Sequence, residues 1–502
     1  MPAIAGIDIG SNAMRLIVAN VDQKKGPDVV ERAREPVRLG QDVFSQGSIS
    51  EKLADQAIKA LERFKGVMNR YGVVVSKVVA TSALREATNR VQFVGAVGKK
   101  VGMEINVIGG AEEARLVHLA VKDKVKLGQK LALLVDVGGG SVELTLAKNG
   151  RMISTAGFDL GSVRLLCALK GKKQDEREFG QMVQEYVGGL KKDLKKEIGS
   201  QKIDVCAGTG GNIESLGELC RETLGADKND VVSVENLGAL VKKLQATSYE
   251  DRIRGMGLRP DRADVILPAA IVLLRIAKLA EVDEILVPCV GVREGLLLDI
   301  WAGLYAGGDG TALEQALDSA RHMGRKYSYD EAHGETVLKL SGALFDATKE
   351  LHKLGPEHRV LLEVAAILHD VGSFIGVSRH HKHTFYLLSN TPIVGLDRNQ
   401  QAIVANVARY HRMATPNVRH EGYADLQPKS RMITLKLAAL LRLADAMDTE
   451  HDGLVTGFTL DLSKTKAVLR LRGNGDMLIE KWKLAKKCDL FEEFYQLKLV
   501  IE

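Results

Sequence analysis

The 502-residue sequence has little of several features that mark particular classes of protein. It contains only ten prolines and no low-complexity block, which argues against long disordered linkers. Its five cysteines are scattered without a CxxC pair, and this spacing suits a reducing compartment. The longest apolar stretch, about residues 266–280, contains Arg275 and is too short to cross a bilayer. Because the first residues also lack the basic region of a signal peptide, we expect a cytoplasmic protein that does not bind membranes.

Familiar nucleotide-binding motifs are absent as well. No G-x-x-x-x-G-K-[ST] segment occurs, which excludes a P-loop, and the main glycine-rich segment opens a strand rather than the helix of a dinucleotide fingerprint. The net charge of +6 permits an anionic ligand without requiring nucleic acid, so we expect no DNA partner. With 45% hydrophobic and 27% charged residues, the chain is typical of a globular protein of three or four domains.

A glycine-rich segment at residues 131–147 carries the first functional signal. An apolar run predicts a buried strand that ends near Asp136, and the alternation that follows the glycines predicts a second strand containing Glu143. The turn between them contains Gly138, Gly139, Gly140 and Ser141. Such a turn is tight enough for its N–H groups to converge on an anion, and the two acids are placed to hold a cation beside it. A plain glycine hairpin is the alternative.

The N-terminal residues repeat this segment without a gap. Asp8 aligns with Asp136 and Gly10 with Gly138, 128 residues further along. Two such units predict a duplicated domain, with one phosphate-binding loop on each side of a cleft. The loop residues of the N-terminal copy are Asp8, Gly10, Ser11 and Asn12.

Three further segments place polar groups where a strand meets a helix. Arg85 follows a short strand, and its planar guanidinium suits phosphate oxygens. Glu112 and Glu113 lie in the first turn of a helix, either as acids of the site or only as partners of the helix dipole. A third glycine loop follows a strand, and such a loop binds phosphate well. It contains Gly208, Thr209 and Gly210.

The composition changes after a glycine-rich break at residues 305–310. Eleven of the twelve histidines lie beyond residue 320, in a region with the periodicity of helices. A bundle that directs these side chains inward would bind a metal ion, whereas any one histidine taken alone fits an ordinary core or surface position. The ordered set consists of His333, His369, Asp370, a short loop at residues 380–383, His411 and Asp445.

Several of these segments, taken in order, resemble one known family. The resemblance rests on Gly6-Ile-Asp-Ile-Gly-Ser-Asn12, Thr81-Ser-Ala-Leu-Arg85, Gly110-Ala-Glu-Glu-Ala-Arg115, Asp136-Val-Gly-Gly-Gly-Ser-Val-Glu143, Gly161-Ser-Val-Arg164, Gly208-Thr-Gly-Gly211 and Arg293-Glu-Gly295. Together they are similar to the exopolyphosphatase / guanosine pentaphosphate phosphohydrolase (Ppx/GppA) family. The match covers about the first 305 residues.

The resemblance implies a fold for the whole chain. The expected catalytic region is an α/β, two-lobed, ribonuclease-H-like structure of the actin, sugar-kinase and heat-shock-chaperone ATPase superfamily. An all-α HD-type domain and a small α/β C-terminal lobe would follow it. The expected domains are lobe I at residues 1–128, lobe II at 129–308, the HD-type domain at 309–454 and the C-terminal lobe at 455–502.

The resemblance also implies an activity, the hydrolysis of the terminal phosphate of inorganic polyphosphate with magnesium. Glu113 matches the acid that activates the attacking water, and Arg85 matches the arginine over the phosphates. Asp136 and Glu143 match the magnesium side of the site, and the glycine loops match its phosphate side. This chemistry requires a carboxylate within reach of the water and positive charge on the phosphoryl oxygens.

Residues 320–450 are similar to the HD-type domain of longer family members, in some of which the metal ligands are eroded. The residues that keep the H…HD…D pattern here are His333, His369, Asp370 and Asp445. His383 and His411 are candidates for a second metal. Such a site would hold Mn, Fe, Co or Ni, and a nucleotide phosphohydrolase or phosphodiesterase activity there is an alternative function.

Exopolyphosphatase activity is the leading expectation, with a homodimeric assembly because the family is often dimeric. The nearest alternative is hydrolysis of guanosine pentaphosphate to the tetraphosphate, a reaction of the stringent response, since both substrates end in a phosphoanhydride. An ATPase or sugar kinase of the same superfamily is a further alternative, although no separate adenosine pocket is evident. The last alternative is a binding module that senses nucleotides.

Overall fold

The structure, a computed structural model, describes residues 2–171, 175–199, 201–225, 230–305 and 309–502. The chain divides into two compact units, residues 1–308 and 309–502. Residues 306–308 of the predicted glycine-rich break lie outside the described ranges. Each unit has a hydrophobic core of its own.

The first unit begins with a five-stranded sheet in the order β3-β2-β1-β4-β5. The strands are β1 (Ala3–Ile9), β2 (Met14–Asp22), β3 (Gly26–Glu35), β4 (Val73–Ala80) and β5 (Asn106–Val107). The helices are α1 (Leu39–Gln46), α2 (Glu51–Arg70), α3 (Ser82–Glu86), α4 (Arg90–Val101) and α5 (Gly110–Lys124). Strand β1 is apolar except for Asp8 and is wholly buried, because it lies at the centre of the sheet.

The second sheet has six strands in the order β10-β11-β9-β6-β7-β8. They are β6 (Leu131–Val137), β7 (Val142–Lys148), β8 (Arg151–Phe158), β9 (Val205–Thr209), β10 (Val231–Ser233) and β11 (Glu284–Leu286). The helices are α6 (Ser162–Leu169), α7 (Glu176–Gly189), α8 (Lys191–Ile198), α9 (Gly211–Leu224), α10 (Val234–Gln245), α11 (Tyr249–Arg254), α12 (Pro260–Ala263), α13 (Ile266–Ala280) and α14 (Val292–Tyr305).

The two sheets share one topology. In each, three antiparallel strands are followed by two parallel ones on the far side of the first strand, and β10 adds an antiparallel edge to the second sheet. The two-lobed ribonuclease-H-like fold predicted from the sequence is confirmed. The carboxyl ends of the parallel strands point to the loops that carry the predicted site.

Two helices cross between the sheets. Helix α5 follows the first sheet but packs on β6, β7 and β8, whereas α14 ends the unit and packs on β1 to β4. The two helices touch at Gly295, where a Cβ atom would collide with the carbonyl oxygen of Leu116. The lobe boundary expected from the sequence lies between residues 128 and 129. This boundary does not separate two packing units, because α5 precedes it but packs on the second sheet, and α14 follows it but packs on the first sheet.

The second unit combines helices with a small sheet. The helices are α15 (Asp309–Lys326), α16 (Glu331–Ala347), α17 (Lys349–His352), α18 (Pro356–Leu368), α19 (His380–Asn390), α20 (Arg398–Arg409), α21 (Pro428–Ala446), α22 (Leu478–Lys487) and α23 (Asp489–Tyr495), with a short 3-10 turn at Val371–Phe374. Strands β12 (Val455–Leu462), β13 (Lys466–Gly473) and β14 (Lys498–Ile501) form a sheet in that order. The predicted hairpin is present as β12 and β13.

The expected C-terminal lobe shares a core with the helices that precede it. Ala467, Leu484 and Phe491 are buried in the same cluster as Leu340 and Leu441 of the helical region. Residues 455–502 are therefore part of the second unit rather than a body of their own.

No helix in the described part of the chain is both long enough and apolar enough to span a bilayer. Helix α13, which contains the longest apolar stretch, is buried among α7, α9 and α10 of the second lobe.

We predict that Gly295→Ala lowers the free energy of unfolding by about 1–3 kcal/mol, because the added methyl group would force α5 and α14 apart. Gly303→Ala on the same helix is the control, since no atom lies within 4 Å of its Cβ position and alanine favours a helix. Urea unfolding followed by circular dichroism measures both. Equal stabilities of the two variants would contradict a tight crossing at Gly295.

Candidate active site

The central strand pairs of the two lobes have the same register. In the first pair Asp8 lies opposite Arg15, and in the second pair Asp136 lies opposite Glu143. The duplication predicted from the sequence is thus present in the fold. The two copies differ in the sign of the charge opposite the aspartate.

The turns that join these strands are also alike. The Gly10 N–H donates to the Ala13 carbonyl at 3.2 Å, and the Gly138 N–H donates to the Ser141 carbonyl at 3.0 Å. Each aspartate therefore lies at the end of a buried strand, directly before a closed glycine turn.

The two turns lie against each other. A side chain at Gly139 would contact Ser11 and the Asn12 amide, and one at Gly140 would collide with the hydroxyl groups of Ser11 and Ser82. Only glycine allows the backbones of the two lobes to come this close. The Asn12 amide of the first turn thereby lies beside Gly139 of the second.

A cleft opens beside the turns. The predicted residues that line it are Asp8, Gly10, Ser11, Asn12, Glu113, Asp136, Gly138, Gly139, Gly140, Ser141 and Gly210. Glu143 and Thr209 lie behind this lining and are bonded to it. The Ser141 hydroxyl donates to Glu143 at 2.6 Å, and the Thr209 hydroxyl donates to Asp136 at 2.7 Å.

Three buried carboxylates form the centre of the site. Glu113 comes from the first turn of α5, Asp136 from the end of β6 and Glu143 from β7. One oxygen of each lies within 4.8 Å of an oxygen of the other two. Among the described residues, one buried oxygen of Glu113 and one of Glu143 have no hydrogen-bond partner.

Burial raises the pKa of all three groups, and repulsion from neighbouring acids adds to it for Glu113 and Glu143. Burial, and after it the charges of Glu143 and Asp136, raises the pKa of Glu113 well above its usual value. Burial and the charge of Asp136 raise the pKa of Glu143 to about 8. Burial also raises the pKa of Asp136, against the bond from Thr209. Buried carboxyl groups this close together are all ionised only when a cation offsets their charge. Otherwise they retain or share a proton.

The donor set fits a magnesium ion. Mg²⁺ prefers carboxylate and water oxygens, and Asp136 together with the unpartnered oxygen of Glu143 can serve as ligands. The identity of the cation stays a prediction.

Arg85 lies beside the acids. Its guanidinium is 3.6 Å from the Glu113 carboxylate and donates to the Ile108 carbonyl at 2.8 Å. The charge of Arg85 lowers the pKa of Glu113, although burial and the neighbouring acids outweigh it. The predicted contact of Arg85 with phosphate stays a prediction.

The third glycine loop differs in part from the prediction. Gly208 is inside strand β9, where a side chain would collide with Ile213 and Ile285, so this glycine serves packing rather than phosphate binding. The Thr209 hydroxyl is used on Asp136. Gly210, with φ +94°, lines the cleft as predicted.

Two arginines that the sequence analysis did not select also line the cleft. The guanidinium groups of Arg15 and Arg262 both lie next to Gly211, so that a side chain there would collide with them, and Arg262 also bonds the side chain of Asn212. Arg15 had a signal in the sequence, since it occupies the duplicated position opposite Asp8. Arg262 had none, because α12 carries no motif and reaches the cleft only through the fold.

Arg164 positions the glycine turn of the second lobe. Its Nε donates to the Gly140 carbonyl at 2.7 Å, and another nitrogen donates to Glu86 at 2.5 Å. The guanidinium carbon lies 4.2 Å from the centre of the Phe44 ring. The Gly161–Arg164 motif is therefore a support for the turn.

The second unit brings together five of the six predicted metal ligands. His333, His369 and Asp445 form one group, and Asp370 and His411 belong to another. These residues come from α16, from the end of α18, from α21 and from the residues that follow α20.

His383 is the prediction that the structure contradicts. Among the described residues, His383 belongs to neither group, and His380 takes its place beside Asp370 and His411. The residues expected to form a loop instead begin helix α19 at His380, which is buried. His383 lies one turn further along that helix, near Gly376.

Comparison with known families identifies the chain. The model of the Ppx/GppA phosphatase family matches residues 16–302, and the model of domain III of the Ppx/GppA phosphatases matches residues 317–493. The chain belongs to the Ppx/GppA phosphatase family. As a member it is a hydrolase, and the resemblance read from the motifs is confirmed.

Two relatives of this Ppx/GppA chain align with nearly its whole length. A guanosine-5'-triphosphate,3'-diphosphate pyrophosphatase of Vibrio parahaemolyticus serotype O3:K6 is 26% identical over 471 residues, 92% of either chain. A protein of the same name from Vibrio atlanticus is 26% identical over 506 residues, 97% of this chain and 98% of the relative.

Solved structures of the family share the fold. The Ppx/GppA family member of Aquifex aeolicus is 27% identical, with a TM-score of 0.52 over 60% of this chain and 98% of that one. An exopolyphosphatase from Cytophaga hutchinsonii is 24% identical, with a TM-score of 0.56 over the same shares.

We predict that the metal-free protein loses stability as the pH rises from about 4.5 to about 8. The Glu143 carboxyl has its ordinary value of 4.5 in the unfolded chain and about 8 in the folded one, so in this range the folded state binds more protons. The loss is at most about 1.4 kcal/mol per pH unit for this one group. Thermal unfolding in EDTA at several pH values measures it.

Glu143→Gln is the matched variant, because it keeps the shape of the side chain and removes the ionisation. Its stability should fall less with pH than that of the wild type over the same range. Parallel curves for the two proteins would show that Glu143 is ionised throughout and that the cluster does not share a proton.

Proposed function

We propose that this Ppx/GppA protein hydrolyses the terminal phosphoanhydride of guanosine 5'-triphosphate 3'-diphosphate. The observation that carries the proposal is the cluster of Glu113, Asp136 and Glu143 beside two glycine turns that line the same cleft. The choice of substrate is supported by the relatives of that name, which match more than 90% of this chain. Exopolyphosphatase activity, the leading expectation from the sequence, becomes the second candidate.

Glu113 is the residue suited to activate water. It lies in the first turn of helix α5 and lines the cleft, and burial raises its pKa, which makes the carboxylate a stronger base toward water. Arg85, 3.6 Å away, orients its carboxylate. The water oxygen forms the new bond to phosphorus, the bond to the bridging oxygen breaks, and the proton taken by Glu113 is available for the leaving phosphate.

The glycine turns stabilise the reacting phosphate. Charge that develops on its oxygens would be met by backbone N–H groups of the turn at Gly139 and Gly140, which lines the cleft. A magnesium ion held by Asp136 and Glu143 would supply further positive charge there.

Arg15 and Arg262 are placed to bind the rest of the anion. Both guanidinium groups line the cleft on the side of Gly211. Burial, and after it the charge of Arg15, lowers the pKa of Arg262 to about 9. A second phosphate group between them would relieve that repulsion, since guanidinium forks match phosphate oxygens.

One feature favours inorganic polyphosphate as the second candidate. The side chains that line the cleft are small or charged, and its described lining contains no aromatic ring on which a base could stack. A chain of phosphates needs no such surface. With the guanosine substrate, the base would therefore lie outside the cleft.

We predict that phosphate is released fastest from guanosine 5'-triphosphate 3'-diphosphate when this substrate, long-chain polyphosphate and ATP are compared at equal concentration with Mg²⁺. Faster release from polyphosphate would favour the second candidate. No release from any of the three would overturn the proposal and leave a binding module.

We predict that Glu113→Gln lowers kcat by about 10²–10⁴-fold, the usual contribution of a general base. Glu112→Gln is the control, because Glu112 lies in the same helical turn but pairs with Arg115 at 2.7 and 2.8 Å. It should retain nearly full activity. If Glu113→Gln were as active as Glu112→Gln, the assignment of the base would be wrong.

A further inference from the structure

Four imidazole rings converge in the second unit. The Nε2 atoms of His333 and His369 are 3.2 Å apart, and those of His380 and His411 are 3.1 Å apart. All four rings are buried, with three of the side chains at most 2% exposed and that of His380 at 7%. Histidines gathered only for packing would not direct the same ring atom to its counterpart in each of two neighbouring pairs.

The opposite ring nitrogens fix the tautomers. The Nδ1 atoms of His369, His411 and His380 lie 2.7, 2.7 and 3.1 Å from the carbonyl oxygens of Ala366, Ala408 and Val377, and that of His333 lies 2.7 Å from Asp448. Carbonyl and carboxylate oxygens accept, so each Nδ1 carries the proton. In the neutral ring the Nε2 lone pair is then left facing the other rings.

Two carboxylates complete the arrangement. One Asp445 oxygen lies 3.7 Å from His333 and 3.6 Å from His369. One Asp370 oxygen lies 3.0 Å from His380 and 3.3 Å from His411, and 3.8 Å from His369. Asp370 therefore stands between two groups of three ligands, and this buried oxygen has no hydrogen-bond partner among the described residues.

We propose that these six residues, the histidine–aspartate cluster, bind two divalent transition-metal ions and hydrolyse phosphate esters. The first ion would take His333, His369 and Asp445, and the second His380, His411 and Asp370, with Asp370 also able to reach the first. Imidazole together with carboxylate suits Mn, Fe, Co, Ni or Zn. Three protein ligands for each ion leave positions open, as in catalytic rather than structural sites.

The surroundings favour an anionic substrate. Lys487 forms an ion pair with Asp445, and an Arg412 nitrogen lies 3.5 Å from His380. The Asp370 side chain is 27% exposed, so solvent and a ligand can reach the cluster on that side. Paired cations with a bridging carboxylate act on phosphate groups in many hydrolases.

The reaction needs no co-reactant. The oxygen of a water molecule forms the new bond to phosphorus, and the bond from phosphorus to the ester oxygen breaks, with its electron pair leaving on that oxygen. The proton lost by the water is taken up by the leaving alcohol. The products are an alcohol and a phosphate with one ester bond fewer.

Metal content tests the proposal without any assay of activity. The full chain is stripped with EDTA, loaded with Mn²⁺, desalted and measured by elemental analysis. We expect about two ions per chain for the wild type and about one for His380→Ala, because the first group of ligands stays intact. His383→Ala, which removes a histidine from the same helix but outside the cluster, should keep both.

Three outcomes would overturn the proposal that the histidine–aspartate cluster binds two metal ions. The wild type could hold one ion or none, His383→Ala could lose as much metal as His380→Ala, or Mn²⁺ could leave the unfolding temperature of the stripped wild type unchanged. The last measurement uses no variant and so does not depend on how well the variants fold. If the four histidines only form a hydrogen-bonded network, elemental analysis will find no bound manganese.

The hydrolase activity is tested in the Glu113→Ala background, so that the first unit does not contribute. We expect the manganese-loaded chain to hydrolyse bis(p-nitrophenyl) phosphate, and the further change Asp370→Ala to abolish this activity. Equal rates with and without Asp370→Ala, or no hydrolysis at all, would refute the activity while leaving the function proposed for the first unit untouched.

Discussion

The mutual repulsion of three buried carboxylates governs the first unit. Glu113, Asp136 and Glu143 come from three different elements, and holding their oxygens within 4.8 Å of one another opposes folding unless positive charge or protons are present. The rest of the site is arranged around that constraint. Hydroxyl groups of Ser141 and Thr209 fix two of the acids, and the neighbouring glycine turns supply N–H groups where a polyanion would bring more negative charge.

The duplication explains why the cleft is asymmetric. Both lobes use an aspartate at the end of the first strand and a glycine turn, but the residue opposite that aspartate is Arg15 in one lobe and Glu143 in the other. One side of the cleft is therefore suited to bind phosphate directly and the other to bind a cation.

Local patterns predicted much of this structure, and long-range packing accounts for the rest. The strands around Asp8 and Asp136 and the hairpin near residue 460 could be read because alternation and glycine turns are local signals. The role of Glu113 came from family motifs, since a helix dipole explains two acids equally well. Arg262 reaches the cleft only through the fold. A run of histidines with few strong helix formers gives no sign of where α19 begins, so the sequence alone does not distinguish His380 from His383.

The crossing of α5 and α14 sets the order in which the chain can be completed during synthesis. The first sheet is made from residues 3–107, but the helix that covers one of its faces spans residues 292–305. The chain must be synthesised as far as Tyr305 before the first lobe acquires this complete cover. Until then Ile4 of β1 and Ile17 of β2 lack Leu297 and Ile300, the α14 side chains that bury them in the folded protein. The first lobe is therefore the first to be synthesised but the last to be completed, because α14 follows every strand of the second sheet.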